Sequence, residues 1–430
     1  MPSQPAATAP AKTPWGSVLL FCMLFFVFGF VTWLNGPLIS FVKLAFNLTD
    51  VEAFLVPSVF YLSYFFLALP SAFILRKTGM KHGMALGLLI MAIGAAGFGQ
   101  FATMRIFPGA LVSLFGIGMG VSLLQTASNP YISVLGPIES GAQRIAIMGL
   151  FNKGAGFIAP ILVGTLILYG MKDFADQVAA APTAAAREVL LNAFAARIHI
   201  PYLIMAGFLA CLAVFTWFSP LPELGDSANP DSGKGSRFAY IQMLFGFLAI
   251  FFYVGAEVLV GDGITTYANG FNLPLDQTKF FTSGPLVGMI VGYIIGLIAI
   301  PRFISQEKYL TWSAVLGIVL AACAFFTKGY VSVGFVAALG LANAMMWPAI
   351  FPLGIRGLGK LTEFGSALLV MGIAGGSVIP QAFAHLKDAY GFQLVYAVLL
   401  ILCYAYVLFF SVFAGRRGKQ IVADRAAADL

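Results

Sequence analysis

Residues 219–237 read SPLPELGDSANPDSGKGSR. Proline, glycine, serine and charged residues crowd this stretch, and it has no apolar periodicity, which is the composition of a flexible linker. Apolar runs long enough to cross a bilayer, roughly 20 residues each, recur on both sides of it. The stretch divides those runs six and six. The reading is an all-α integral membrane fold of twelve transmembrane helices in two six-helix halves.

The composition agrees. Of 430 residues, 60% are hydrophobic and 10% charged, and 42 are phenylalanine, whereas a soluble domain is roughly 25% charged. Apolar runs and Pro/Gly breaks place spans 1–12 at 17–45, 52–75, 83–103, 107–135, 145–169, 199–218, 238–268, 277–300, 309–327, 330–355, 364–384 and 391–414. The expected organisation is a cytoplasmic tail at 1–16, an N-terminal half at 17–218, the linker at 219–237, a C-terminal half at 238–414 and a cytoplasmic tail at 415–430. The Pro/Ala-rich start, MPSQPAATAPAKTPWG, reads as a tail rather than a signal peptide. In the long connection 170–198, the run AAAREVLLNAFAARI suggests an interfacial helix.

A net charge of +7 invites a nucleic-acid reading, but the basic residues cluster in alternate connections. Arg76, Lys77, Lys81, Arg144, Lys234, Arg237, Arg302, Lys308, Arg356 and Lys360 lie on the side of the two termini, and fewer lie opposite. The positive-inside rule then puts both termini in the cytoplasm, and the charge reports topology rather than a nucleic-acid partner. Lys43, Arg105, Lys172, Arg187, Arg197, Lys279, Lys328 and Lys387 are assigned to the opposite side, which leaves Lys153 as the one basic residue on neither side. Cys22, Cys211, Cys323 and Cys403 sit in apolar runs without close spacing, so neither disulfides nor a zinc site is expected. His82, His199 and His385 are scattered near span ends, and no nucleophile–base spacing or metal-ligand set points to an enzyme, a metal or a cofactor.

The halves echo each other. Span 4 ends in Pro130-Tyr-Ile132-Ser-Val-Leu135-Gly136 and span 10 in Pro348-Ala-Ile350-Phe-Pro-Leu353-Gly354. Gly156-x-x-x-Pro160 in span 5 answers Gly376-x-x-x-Pro380 in span 11, and Phe46-Asn47-Leu48 answers Phe271-Asn272-Leu273. Three matches at offsets between 218 and 225 argue for duplication. Two six-helix repeats joined by a central cytoplasmic linker resemble the major facilitator architecture. LRKTGMKHG (75–83) resembles the loop motif of that superfamily, with Ala72 and Arg76 departing from it.

An ionisable side chain at helix centre costs about 2.5–3.5 kcal/mol on insertion scales, so such residues face a cavity, have a partner and mark function. Lys153 in span 5 and Glu257 and Asp262 in span 7 are the three candidates. The plain alternative for Lys153 is a fixed ion pair tying the halves together. Gly261 and Gly263 flank Asp262 and weaken the helix there, as at a broken binding-site helix or a packing kink. Gln125 and Asn129 are four apart in span 4, Asn152 neighbours Lys153, Asn35 follows Trp33 in span 1, and Asn343 and Trp347 are four apart in span 10. Amides offer paired donors and acceptors to hydroxyl groups, and an indole offers a face to a sugar ring. Helix joining is the alternative for each amide. Gly154 and Gly156 suit close helix approach.

LNGPLI (34–39), LLQTASNPYISVLGP (123–137), FNKGAGF (151–157), MMWPAIFPLGIRGLG (345–359) and FGSALLVMGIAGGSVIP (364–380) resemble the fucose:proton symporter family of the major facilitator superfamily. The region VGAEVLVGDGITTYANGFNLPLDQTKFFTS (254–283) is similar to its glucose/galactose and N-acetylglucosamine branch, with Glu257 at the span 7 glutamate of that branch. The L-fucose symporters have an aspartate where this chain has Gly36 and a glutamate where it has Gln125, whereas their sugar-binding asparagine matches Asn152. The resemblance implies uptake of a hexose or N-acetylglucosamine, coupled to a proton or sodium, by a monomer in a bacterial inner membrane. L-fucose symport and uncoupled sugar or drug transport are the alternatives. The candidate sugar contacts are Asn152, Lys153, Gln125, Asn129, Asn35, Asn343 and Trp347, and the candidate cation-coupling residues are Glu257 and Asp262.

Overall fold

A computed structural model describes residues 15–134, 141–219, 237–300, 302–356, 358 and 362–428, with backbone alone at 15, 129–134, 141–146, 237–239, 362–363 and 417–428. Most of the expected linker and the side chain of Asn129 therefore lie outside the described residues.

The first half runs through Trp15–Trp33 and Asn35–Ala45 (span 1), Leu55–Thr103 (spans 2 and 3), Phe107–Val134 (span 4), Gly141–Leu166 (span 5) and His199–Phe218 (span 6). Arg237–Gly261 (span 7), Ser283–Ala299 (span 8), Gln306–Phe326 (span 9) and Gly329–Asn343 with Met346–Ile355 (span 10) follow. Thr362–Met371 with Gly375–Tyr390 forms span 11, and Phe392–Ala428 forms span 12 and continues beyond the expected boundary at 414. Eleven stretches among the described residues have the length and hydropathy of a membrane crossing, and one of them, Asp50–Thr103, holds two crossings. The reversal between those two is made at Gly79, whose φ of 76° lies in the left-handed region that glycine adopts without a Cβ penalty.

Helix contacts repeat under a shift of six. Spans 1 and 5 pack together as do 7 and 11; spans 2 and 3 pack on 4 and 6, and 8 and 9 on 10 and 12. The halves meet along two equivalent seams, span 5 against span 8 and span 2 against span 11. The repeated Phe-Asn-Leu carries the same backbone twice: Asn47 has φ 54° and Asn272 has φ 58°. Asparagine tolerates this conformation better than other residues with a Cβ. Each turn leads into a short helix, Asp50–Ala53 or Leu275–Thr278, the former closed by a capping box between Thr49 and Glu52.

In the connection 170–198, Ala184–Ala196 is helical, preceded by Met171–Ala179. Span 7, placed at 238–268 with a weak point at Gly261-Asp262-Gly263, stops at Gly261 and resumes as Ile264–Asn269. Two glycines leave Asp262 at the break, where the Asp262 and Gly263 amides reach back to the Val258 and Leu259 carbonyls.

Candidate functional site

Span 5 lays one face on span 8, across the seam between halves, and so carries Lys153 to the middle of the bundle. Its Nζ lies 2.9 Å from Glu257 Oε1 of span 7, with both side chains about nine-tenths buried. A buried pair is held together by strong Coulomb attraction in a medium poor in water, after a large desolvation cost. The ammonium also lies 4.7 Å from the centre of the Trp33 ring, a cation–π contact from span 1. A Cβ on Gly156 of span 5 or Gly261 of span 7 would overlap the Trp33 indole. These two glycines therefore let the ring stand between the halves, against span 5 on one side and span 7 on the other. Gly154 has no neighbour of this kind, so the close approach expected of it occurs at Gly156 alone.

Tyrosines surround the pair. Tyr253 stands beside Glu257 on the same helix, and Tyr61 of span 2, Tyr293 of span 8 and Tyr404 of span 12 lie close enough to sense its charge. Tyr404 donates to Asn343 Oδ1 at 2.9 Å, which joins Asn343 to this centre. Trp347 stacks on Phe351, ring centres 5.6 Å apart. Asn152 is buried, its amide nitrogen 3.5 Å from the Phe25 carbonyl. Gln125 is buried with its Oε1 lacking a partner. Asn35 lies beside the Tyr61 hydroxyl with an unpartnered Nδ2.

Asp262 is fully buried, with no cation among the described residues paired to it. Neither carboxylate oxygen completes a hydrogen bond, although the Gly36 backbone N–H of span 1 faces them. The fit to Gly36 is tight: a Cβ there would stand 3.1 Å from Asp262 Oδ1 and 2.7 Å from Thr282 Oγ1. Thr282 is also fully buried and its hydroxyl lacks a partner.

The sequence reading named Lys153, Glu257 and Asp262 and noted Trp33 beside Asn35, but missed Thr282, the tyrosines and the contact of Trp33 with Lys153. Aromatic residues are common all along this chain, so their types alone did not mark the four that face one carboxylate. Lys279, assigned to the connections opposite the termini, lies in the turn between Leu275–Thr278 and span 8, yet it is only 7% exposed. Its Nζ donates to the Leu168 carbonyl of the other half at 3.1 Å, while Asp276 lies 3.6 Å away. The long side chain turns inward because a carbonyl freed at the end of span 5 accepts its proton.

Other polar contacts join the halves at the end opposite the termini. Ser58 donates to the Ser377 carbonyl at 3.3 Å, Gln381 to the Val51 carbonyl at 3.1 Å and Ser283 to the Phe157 carbonyl at 3.0 Å. Asp50 is shared between Lys43 of its own half and Lys387 of the other, the latter at 2.7 Å.

The family profile described as Major Facilitator Superfamily matches residues 21–380. The glucose/galactose transporter of Brucella abortus biovar 1 (strain 9-941) is 32% identical over 403 residues, which cover 92% of this chain and 93% of that protein. The L-fucose-proton symporter of Escherichia coli (strain K12) is 30% identical over 411 residues, 92% of each. Among solved structures, the E. coli fucose:proton symporter matches 94% of this chain and 99% of its own, with a TM-score of 0.73 and 27% identity.

Proposed function

This chain belongs to the Major Facilitator Superfamily, and we propose that it takes up a sugar in symport with a proton across a bacterial inner membrane, its termini in the cytoplasm. The single observation that carries this reading is the buried Lys153–Glu257 pair, which bridges the two halves at 2.9 Å with Trp33 against it. Opposite charges brought together from two halves are a contact that rocking of those halves makes and breaks. The names of the relatives, glucose/galactose transporter and L-fucose-proton symporter, supply the substrate class.

The halves at 17–218 and 238–414 are the moving bodies, and one monomer holds the whole pathway between them. Asn152 and Gln125, with Lys153, offer donors and acceptors to sugar hydroxyls from the first half, and Asn343 does so from the second; Asn35, Asn129 and Trp347 complete the proposed set. Glu257 and Asp262 form the cation-coupling site. The contacts among Asp50, Lys387, Lys279 and Leu168 close the periplasmic end. One proton moving through 100 mV supplies about 2.3 kcal/mol, enough for roughly fifty-fold accumulation of a neutral sugar.

The test is uptake of labelled D-galactose into proteoliposomes under an imposed pH gradient, with and without a sodium gradient. Unlabelled D-glucose, N-acetylglucosamine and L-fucose serve as competitors. Saturable uptake driven by the pH gradient and blocked by D-glucose or N-acetylglucosamine is expected. Failure of all four sugars to exchange or compete would overturn the sugar assignment, and accumulation driven by sodium alone would overturn the proton.

A further inference from the structure

The two buried carboxyl groups of span 7 have opposite surroundings. Glu257 has a counter-ion, Lys153, at 2.9 Å. Among the described residues Asp262 has none, and neither its oxygens nor the Thr282 hydroxyl has a hydrogen-bond partner. We propose that Asp262, seated between Gly36 of span 1 and Thr282 of span 8, is the group that carries the coupling proton, while Glu257 keeps its charge.

The chemistry follows from the donors and acceptors present. A buried carboxylate without a cation leaves its desolvation cost uncompensated, several kcal/mol even after relaxation. A proton removes the charge and turns one oxygen into a donor, for which the unpartnered Thr282 Oγ1 is the adjacent acceptor. Sodium would need several more oxygen ligands, and the group facing the carboxyl from span 1 is an N–H donor, that of Gly36, which repels a cation. The other titratable or charged groups that face Asp262 are Glu257 on its own span and Tyr61 of span 2. Lys153 is engaged by Glu257, and Lys279, one turn before Thr282, is directed to the Leu168 carbonyl and Asp276.

The position also supplies the coupling. Gly36 belongs to the first half, Asp262 and Thr282 to the second, and the missing side chain at Gly36 is what lets the halves close over the carboxyl. Opening that seam admits water, in which the charged form is stable; closing it over a bound sugar, which displaces that water, requires the neutral form. The sugar-loaded carrier therefore passes through its closed state with the proton bound, and the empty carrier, whose cavity keeps water against the carboxylate, returns without it.

This assignment, which rests on the proton-coupled reading above, is tested in proteoliposomes by two measurements: sugar counterflow, which needs no coupling, and accumulation under an inward gradient of one pH unit, for which tenfold is the ceiling at one proton per sugar. Asp262→Asn, a neutral carboxyl mimic, is expected to retain measurable saturable counterflow, at a rate lower than that of the unmodified protein. Its accumulation ratio falls to one. Glu257→Gln is expected to retain a ratio above one whenever it supports counterflow, and Asp262→Glu to restore accumulation. Full accumulation by Asp262→Asn, or loss of accumulation with intact counterflow in Glu257→Gln, overturns the assignment while leaving proton symport in place. Counterflow without pH-driven accumulation in the unmodified protein overturns the proton-coupled reading itself.

Infrared difference spectra of the unmodified protein supply a readout that does not depend on the variants folding. The protonated-carboxyl band that changes on raising the pH should move with carbon-13 aspartate labelling. Movement with carbon-13 glutamate instead overturns the proposal.

Discussion

Replacing Lys153 with methionine keeps most of the length of the side chain and removes its charge, which leaves the Glu257 carboxylate buried without the cation now 2.9 Å away. Breaking a buried pair from one side costs about 3–5 kcal/mol, because the remaining charge is uncompensated. The same change also removes the contact with Trp33 at 4.7 Å, worth about 2 kcal/mol when desolvated. Glu257→Gln is expected to be milder, about 1–3 kcal/mol, since the ammonium keeps its place over the indole. The double change Lys153→Met with Glu257→Leu removes both charges and should recover most of the loss. An unfolding entropy near 2.1 cal/mol/K per residue makes 3–5 kcal/mol a fall in Tm of about 3–6 °C for this chain. Thermal unfolding of the detergent-purified protein, followed by intrinsic fluorescence, measures all three. Equal Tm for Lys153→Met and the unmodified protein would refute the reasoning, and so would a double variant no more stable than the worse single one.

Three further outcomes follow from other contacts. Gly261→Leu puts a side chain where the Trp33 indole stands; sugar counterflow should fall at least tenfold, whereas Gly154→Ala, which meets open space, should leave counterflow unchanged. Lys387→Met removes the cross-half partner of Asp50, and a cysteine placed at Ser377 should then react with an impermeant maleimide several times faster from the side opposite the termini; an unchanged rate would remove Asp50 and Lys387 from the closure. Asn272→Val forces a β-branched residue to φ 58° and should lower stability by about 1–2 kcal/mol, while Asn272→Gly should lie within about 0.5 kcal/mol of the native chain; equal losses for both would place the cost in the lost side chain rather than the backbone.

Much of the fold was legible because its cause is local. Apolar runs reveal the spans, since a bilayer leaves a backbone no hydrogen-bond partner other than its own helix. The twinned Phe-Asn-Leu, Asn47 and Asn272, marked the duplication, and both asparagines are left-handed. Gly261 and Gly263 marked the weak point in span 7, but not that the helix ends there with Asp262 on the seam between the halves. Lys279 shows what counting charges by connection does not give: its side chain turns inward to a carbonyl over a hundred residues away.

The sequence by itself determined that the chain crosses a membrane in two related halves and that Lys153, Glu257 and Asp262 are placed where charge is costly. Those conclusions need only the polarity of each residue and its depth in a span. Which carboxyl answers the lysine was decided by the tertiary structure alone. Pairing depends on a few ångströms between helices a hundred residues apart, so Lys153 reaches Glu257 while Asp262 is left against Gly36 and Thr282 with no charge to oppose its own.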